Sequence, residues 1–221
     1  MFVCLDVPLE KGLSISKANN WFGPIAGILF VGAVVVAVNM FAGVDAEPSD
    51  SATTILAQFQ ENADNIQNGG LLISLGLGFL LIFVGHLRSR MRDGGAGWAA
   101  DAFLAGGVAV AGAWVVLTGA QLAGGVAAES GHAEVARGVI DFLWNGTLLF
   151  SPGLLAVGIA AAAASFVSRA IPIWLGIFAL VVALGAYAPW IGILVFVVWV
   201  FAASIVELIR AFRPATTTDV R

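Results

Sequence analysis

The sequence predicts an all-α, polytopic membrane protein of six transmembrane helices, arranged as three helical hairpins with both termini cytoplasmic. Three observations predict it. Hydrophobic residues make up 60% of the chain and charged residues only 11%, with a mean hydropathy of +0.97. A soluble domain carries about 25% charged residues, so this chain could not cover a water-facing surface. The apolar residues fall in runs of about 20, the length that crosses a hydrocarbon core of about 30 Å as a helix. Finally, Lys and Arg collect on alternate connections between those runs.

The runs cover residues 21–41, 69–87, 98–121, 145–167, 171–187 and 189–209. Helix is the state expected of each, because an open strand in lipid leaves its backbone groups unpaired. Lys11, Lys17 and the run after them resemble a secretory signal, and Val44-Asp45-Ala46 loosely resembles a cleavage site. The run is longer than a usual signal core, however, and reads as a retained span. The fifth run is short. Ala188-Pro189-Trp190 reads as a turn rather than a kink, since Tyr187 and Trp190 suit an interface. A single span over 171–209 would also overshoot the bilayer.

Orientation follows from the basic residues. With the N-terminus inside, Lys11, Lys17, Arg88, Arg90, Arg92, Arg169, Arg210, Arg213 and Arg221 all fall on the cytoplasmic side, and only Arg137 falls outside. The two long connections, 42–68 and 122–144, then lie outside and carry most of the acids. Residues 1–20 form a cytoplasmic segment with Phe2, Val3, Leu5, Val7, Leu9, Leu13 and Ile15, which either lies along the inner interface or stays disordered. Residues 21–213 form one transmembrane domain, and 214–221 a polar cytoplasmic tail expected to fray.

Residues 64–76 and 141–153 share the pattern Asp-x-x-x-Asn-Gly-x-Leu-Leu-x-Ser-x-Gly without a gap. The same 77-residue spacing takes Trp21 to Trp98, and one residue less takes Trp98 to Trp174. A duplication explains this, giving hairpins 21–92, 98–169 and 174–213, the last with almost no outer loop. Copies that each go out and return share one orientation, so the axis relating them runs along the membrane normal. Coincidence competes with duplication for Leu and Gly, which are common here. The matched Asp, Asn and Ser are rarer and carry the weight.

Asn68-Gly69-Gly70-Leu71-Leu72 opening a helix, Arg88-Ser89-Arg90 closing it, and residues 168–176, Ser-Arg-Ala-Ile-Pro-Ile-Trp-Leu-Gly, linking two helices resemble a bacterial group. These are six-helix membrane proteins of unknown function, common in actinobacteria, with long outer loops after helices one and three. The resemblance covers about residues 20–210 and rests on short structural motifs. It implies the architecture and a bacterial plasma (inner) membrane. It brings no activity and no catalytic residue.

Ionisable groups near the membrane are candidates for function because they are expensive there. At the inner end these are His86, Asp101 and Glu207, close in sequence to Arg88, Arg90, Arg92 or Arg210. The plain reading is ion pairing or snorkelling to the headgroups. The sharper one is a cytoplasmic vestibule with Asp101 and Glu207 as proton or cation acceptors. On the outer side, Asp64 with Asn68 and Asp141 with Asn145 are spaced i and i+4, so each pair shares a helical face. Were the two faces to converge, they would form a pocket with Asn39 or Gln121 whose oxygens suit a hard cation or polar solute. The plain reading is that Asp and Asn satisfy free backbone N–H groups where the chain bends into the membrane.

Several functions are excluded or disfavoured. A net charge of −4 and pI near 5.0 argue against a nucleic-acid partner. The single Cys4 rules out an internal disulfide and a multi-cysteine metal site. No cofactor is implied: no lysine lies in a span to carry retinal, and His86 and His132 are expected on opposite sides of the bilayer, so they could not share a haem. Gly94-Gly95-Ala96-Gly97 lacks the Lys-Ser/Thr of a phosphate loop. Asn145-Gly146-Thr147 matches a glycosylation acceptor but sits where a helix begins. His132 with Asp141 and Ser151 is a triad only in composition. The first function expected is therefore a non-enzymatic membrane component that packs with itself or a partner. Gly23-x-x-x-Gly27, Gly106-Gly107 and the alanines from 160 to 164 would permit close helix contact. A solute or cation transporter using the Asp/Asn faces is the alternative, and a membrane enzyme acting on a lipid or quinone a weaker one.

Overall fold

The computed structural model describes residues 21–212, all-helical in architecture. The expectations for residues 1–20 and for the tail 214–221 lie outside the described residues. Eight α-helices follow in order: α1 (Phe22–Phe41), α2 (Ala52–Glu61), α3 (Ala63–Asp93), α4 (Gly97–Glu129), α5 (Ala133–Gly146), α6 (Ser151–Ala163), α7 (Ile173–Leu184) and α8 (Pro189–Phe212). A 3-10 turn, Thr147–Phe150, joins α5 to α6, so Ala133–Ser168 runs as one 36-residue helical segment. Five helices are long and apolar enough to cross a membrane, which is the make-up of a multi-pass membrane protein. The remaining apolar piece, Ile173–Tyr187, is shorter.

Local chemistry sets the boundaries. Ser51 caps α2, its hydroxyl accepting from the Thr54 backbone N–H at 3.2 Å. Gly95, at φ +87°, turns the chain between α3 and α4 where an L side chain would be strained. Pro152 lies in the first turn of α6, and the 3-10 turn before it accommodates the backbone bond that proline cannot make. Ala188, at φ −133° and ψ 76°, breaks the helix before Pro189, so Ala188-Pro189-Trp190 is a turn and not a kink. A second break is less expected: α6 ends in a π-helical turn, Ala164–Ser168, closed by Arg169 in the left-handed region at φ 54°.

Several boundaries differ from the sequence expectation. Helix α3 begins at Ala63, not 69, and continues to Asp93. Its 31 residues are about 46 Å long, well beyond a hydrocarbon core. The connections 42–68 and 122–144, read as loops, are largely helical: they contain α2, most of α5 and the ends of α3 and α4. Polar residues there obscure the pattern, but helix is compatible with water once one face finds a partner.

Six helices close into a ring. Helix α1 packs on α3, α3 on α4, α4 on α6, α6 on α7, α7 on α8, and α8 returns to α1. Phe30, Phe83, Phe103, Phe150, Phe196 and Trp199 fill the interior. Three buried polar groups find partners in the bundle: Trp199 Nε1 donates to Leu175 O at 3.0 Å, Ser204 Oγ to Val200 O at 2.7 Å and Ser165 Oγ to Pro172 O at 3.1 Å, whereas His86 Nε2 is buried without one. Glycines permit the close crossings. A methyl added at Gly106 would lie 2.8 Å from Val157 N, and one at Gly158 would lie 2.6 Å from Ala183 N. Gly23 and Gly27 face His86 and Phe83 in the same way, and Ala160, Ala161, Ala162 and Ala164 are buried. The small residues that could have served an oligomer are thus used within the bundle.

A second, smaller core covers one end of the ring. Helix α2 lies against α5, with Ile55, Phe59, Ile66, Ala128, Ala136 and Ile140 buried between them and the ends of α3 and α4. Gln60 Nε2 donates to Ala128 O at 2.7 Å, and Asn62 Nδ2 to Gly43 O at 3.0 Å, pinning this cap to its neighbours. The other end of the ring carries the arginines that close α3 and α8 and the turn after α6.

Candidate functional site: a cavity beneath the cap

A cavity of about 750 Å³ lies directly under the cap, within the range of about 300–1,000 Å³ usual for ligand sites. Each wall is one face of one element. Helix α4 contributes Trp114, Thr118 and Gln121, spaced i, i+4 and i+7. Helix α1 contributes Val34, Val35, Val38 and Asn39, and α8 contributes Trp190, Ile193, Leu194, Val197 and Val198. Phe59, Ile140, Leu143 and Trp144 of the cap form the roof, and Ile73 and Phe150 line the space below it. Trp114 stands edge-to-face with Phe30 and with Phe150, at 5.7 and 5.4 Å between ring centroids, which fixes its plane.

The cavity has a mouth. Helices α1 and α8 meet where Gly27 faces Ser204, toward the arginine end. Nearer the cap they present exposed Val35, Val38, Leu194 and Val198 beside buried Val34 and Val197, all lining one space. The opening between α1 and α8 is therefore apolar along these residues, with exposed Asn39 and Asp45 beside it toward the cap.

Polar groups in the cavity are few. Thr118 is only 5% exposed, and its hydroxyl makes no side-chain hydrogen bond among the described residues. Gln121, half-buried one turn nearer the cap, is likewise free of such a bond. Asn39 Nδ2 donates to Val35 O at 2.7 Å, Thr147 Oγ1 to Trp144 O at 3.3 Å and Trp144 Nε1 to Ala46 O at 3.4 Å. Asp45, exposed at the rim, is the one ionisable group among the described lining residues.

The expected outer pocket is only partly assembled here. Asn39 and Gln121 line the cavity, whereas Asp64, Asn68, Asp141 and Asn145 do not, and all four are exposed. Asp64 sits in the first turn of α3, where a carboxylate favours the helix N-terminus. Asp141 lies well inside α5, so helix capping does not account for it; Asn145 Nδ2 donates to its backbone carbonyl at 2.8 Å. The matched serines also differ. Ser74 bonds Gly70 O in its own helix, while Ser151 bonds Ala186 O across to the end of α7.

At the arginine end the two candidate acids, Asp101 and Glu207, are paired. Asp101 Oδ1 accepts from Arg88 Nε and Nη2 at 3.0 and 2.7 Å, and Arg92 Nη2 is 3.6 Å from Oδ2. Glu207 is 5% exposed; it takes Arg90 Nε at 3.2 Å and Arg210 Nη1 at 2.7 Å. Arg210 also donates to Ala170 O at 3.0 Å, so this cluster ties α3, α8 and the turn after α6 together. His86 Nε2 lies 3.7 Å from Glu207 Oε2, beyond hydrogen-bond distance. Among the described residues no three His, Cys, Asp or Glu converge as metal ligands would.

No protein-family model, curated protein or solved structure matches the chain. Function must come from the cavity itself. Sequence reasoning placed Asn39 and Gln121 there but missed Trp114, Thr118, Phe150, Trp144 and Trp190. The Trp114-Thr118-Gln121 stripe was the available signal, two polar groups and an indole on one face of an apolar run.

Proposed function

We propose that this chain is a non-enzymatic component of a bacterial plasma membrane that holds a lipid-like molecule in the outer half of the bilayer. The observation that carries the reading is the roofed apolar cavity opening sideways between α1 and α8. A laterally open, apolar site inside a membrane exchanges with lipid and not with water, so lipophilic molecules are its natural occupants. Binding is favoured over chemistry because Asp45 has no second acid, base or nucleophile among the cavity's described lining residues. Cation transport through Asp64 and Asp141 draws no support from their exposed positions away from the cavity.

The rest of the reading concerns the frame. We take the chain to cross the membrane six times, with Ile173–Tyr187 as a short fifth span and both termini cytoplasmic. Nine of ten basic residues lying on one side support this orientation. The three pairs α1–α3, α4–α6 and α7–α8 are taken as hairpins of one duplication, in keeping with the resemblance to six-helix actinobacterial membrane proteins.

The test is a mouth-closing variant, Val38→Phe with Leu194→Phe and Val198→Phe. All three residues are exposed, so the packed core is left alone. Protein purified in mild detergent should carry a specific lipid, detected by extraction and mass spectrometry, that the variant has lost. An identical lipid complement in both proteins would overturn the reading.

A further inference from the structure

Resting on the lipid-binding reading, we infer that the ligand is an uncharged lipid whose head carries carbonyl or hydroxyl groups, held by Thr118 and Gln121. The first support is the absence of a counterion. No Lys or Arg is among the described lining residues, and the one charge nearby is the Asp45 carboxylate at the rim. A phosphate head drawn into this space would be desolvated without a partner and repelled by Asp45, a cost that burial of its chains would have to offset.

The second support is Thr118. A threonine inside a helix ordinarily turns its hydroxyl back to the carbonyl four residues earlier, as Ser74, Ser168 and Ser204 do here. The Thr118 hydroxyl does not, although the residue is 95% buried and faces the cavity. Its oxygen is not among the fully buried side-chain atoms that lack a partner, so it stays open to the cavity, where an acceptor or donor on a ligand can bond it. Gln121, one turn away on the same face, adds a donor and an acceptor. Together they offer a hydrogen-bonding pair suited to a neutral carbonyl or hydroxyl, next to the fixed face of Trp114. Two lipid sources carry that chemistry: glycerides with a free hydroxyl, and isoprenoid quinones.

The tryptophans give a direct readout. In a variant with Trp21, Trp98 and Trp174 replaced by Phe, the remaining indoles are Trp114, Trp144 and Trp190 of the cavity and the buried Trp199. Reconstituted into vesicles, this protein is titrated with three quenchers: brominated diacylglycerol, a short-chain quinone and brominated phosphatidylglycerol. Diacylglycerol or quinone should quench at about a tenfold lower mole fraction than phosphatidylglycerol, the scale of one or two neutral hydrogen bonds. Which of the two does so identifies the source. Thr118→Val with Gln121→Leu should erase the difference. If all three quench alike, and the mouth-closing substitutions abolish that quenching, the cavity binds lipid without reading its head and the inference fails. If the mouth-closing substitutions change nothing for any quencher, the lipid-binding reading itself fails.

Discussion

Two carboxylates at the arginine end show how burial decides what an ion pair contributes. Asp101 is about half exposed and held by Arg88, itself about one-third exposed; water screens such a pair, so it contributes little to stability. Glu207 of α8 is buried and holds two guanidiniums, those of Arg90 on α3 and Arg210 on its own helix. Removing one partner of a buried pair costs about 3–5 kcal/mol, here lessened because Arg90 and Arg210 keep partial access to water. Glu207→Gln should therefore destabilise the protein severalfold more than Asp101→Asn in thermal unfolding in detergent. Equal losses would mean that Glu207 is not the tie that the distances imply. The sequence marks Asp101 and Glu207 as unusual because acids are scarce in apolar runs. It cannot assign the partner of Glu207, since Arg90 lies 117 residues away and meets it only through the ring closure of α1, α3 and α8. Thr118 was harder to see, because its interest lies in a missing bond.

Among the elements, the long apolar helices were legible because lipid demands about 20 apolar residues and no other pattern satisfies that demand. The cap helices were not. Ile55 and Phe59 of α2, and Ala136, Ile140 and Leu143 of α5, recur at helical spacing, yet each set is buried only against the other and against the ends of α3 and α4. Their helicity depends on a tertiary partner that no local window contains. The roof of the cavity, and so the cavity itself, depends on that same contact. Close helix crossings were legible as glycine-rich stretches, but which glycines matter was not. Gly158 faces the backbone of α7, whereas Gly112 has open space beside it. Gly158→Ala should cost roughly 1–3 kcal/mol by forcing α6 and α7 apart, while Gly112→Ala should be neutral or slightly stabilising through helix propensity. Unfolding of the two variants side by side checks this, and a tolerated Gly158→Ala would contradict the tight crossing.

For the molecule as a whole, orientation sets which leaflet supplies the ligand. The ring is asymmetric: α2 and α5 cover one end, and Arg88, Arg90, Arg92, Arg169 and Arg210 gather at the other, with Arg137 the lone described arginine on the capped side. Insertion keeps short arginine-bearing segments on the cytoplasmic face, and on the orientation proposed above the cap, the cavity and its mouth would belong to the outer half of the bilayer. Ser130, exposed in the turn between α4 and α5, reports this directly. In a Cys4→Ser background, Ser130→Cys should react with a membrane-impermeant thiol reagent added to intact cells, and a cytosolic cysteine control should not. Labelling only after the cells are opened would invert the protein. The cavity would then draw on the cytoplasmic leaflet, and the arginine end would face outward against the charge rule, although the neutral-lipid preference, set by Thr118, Gln121 and the lack of a lining cation, would stand.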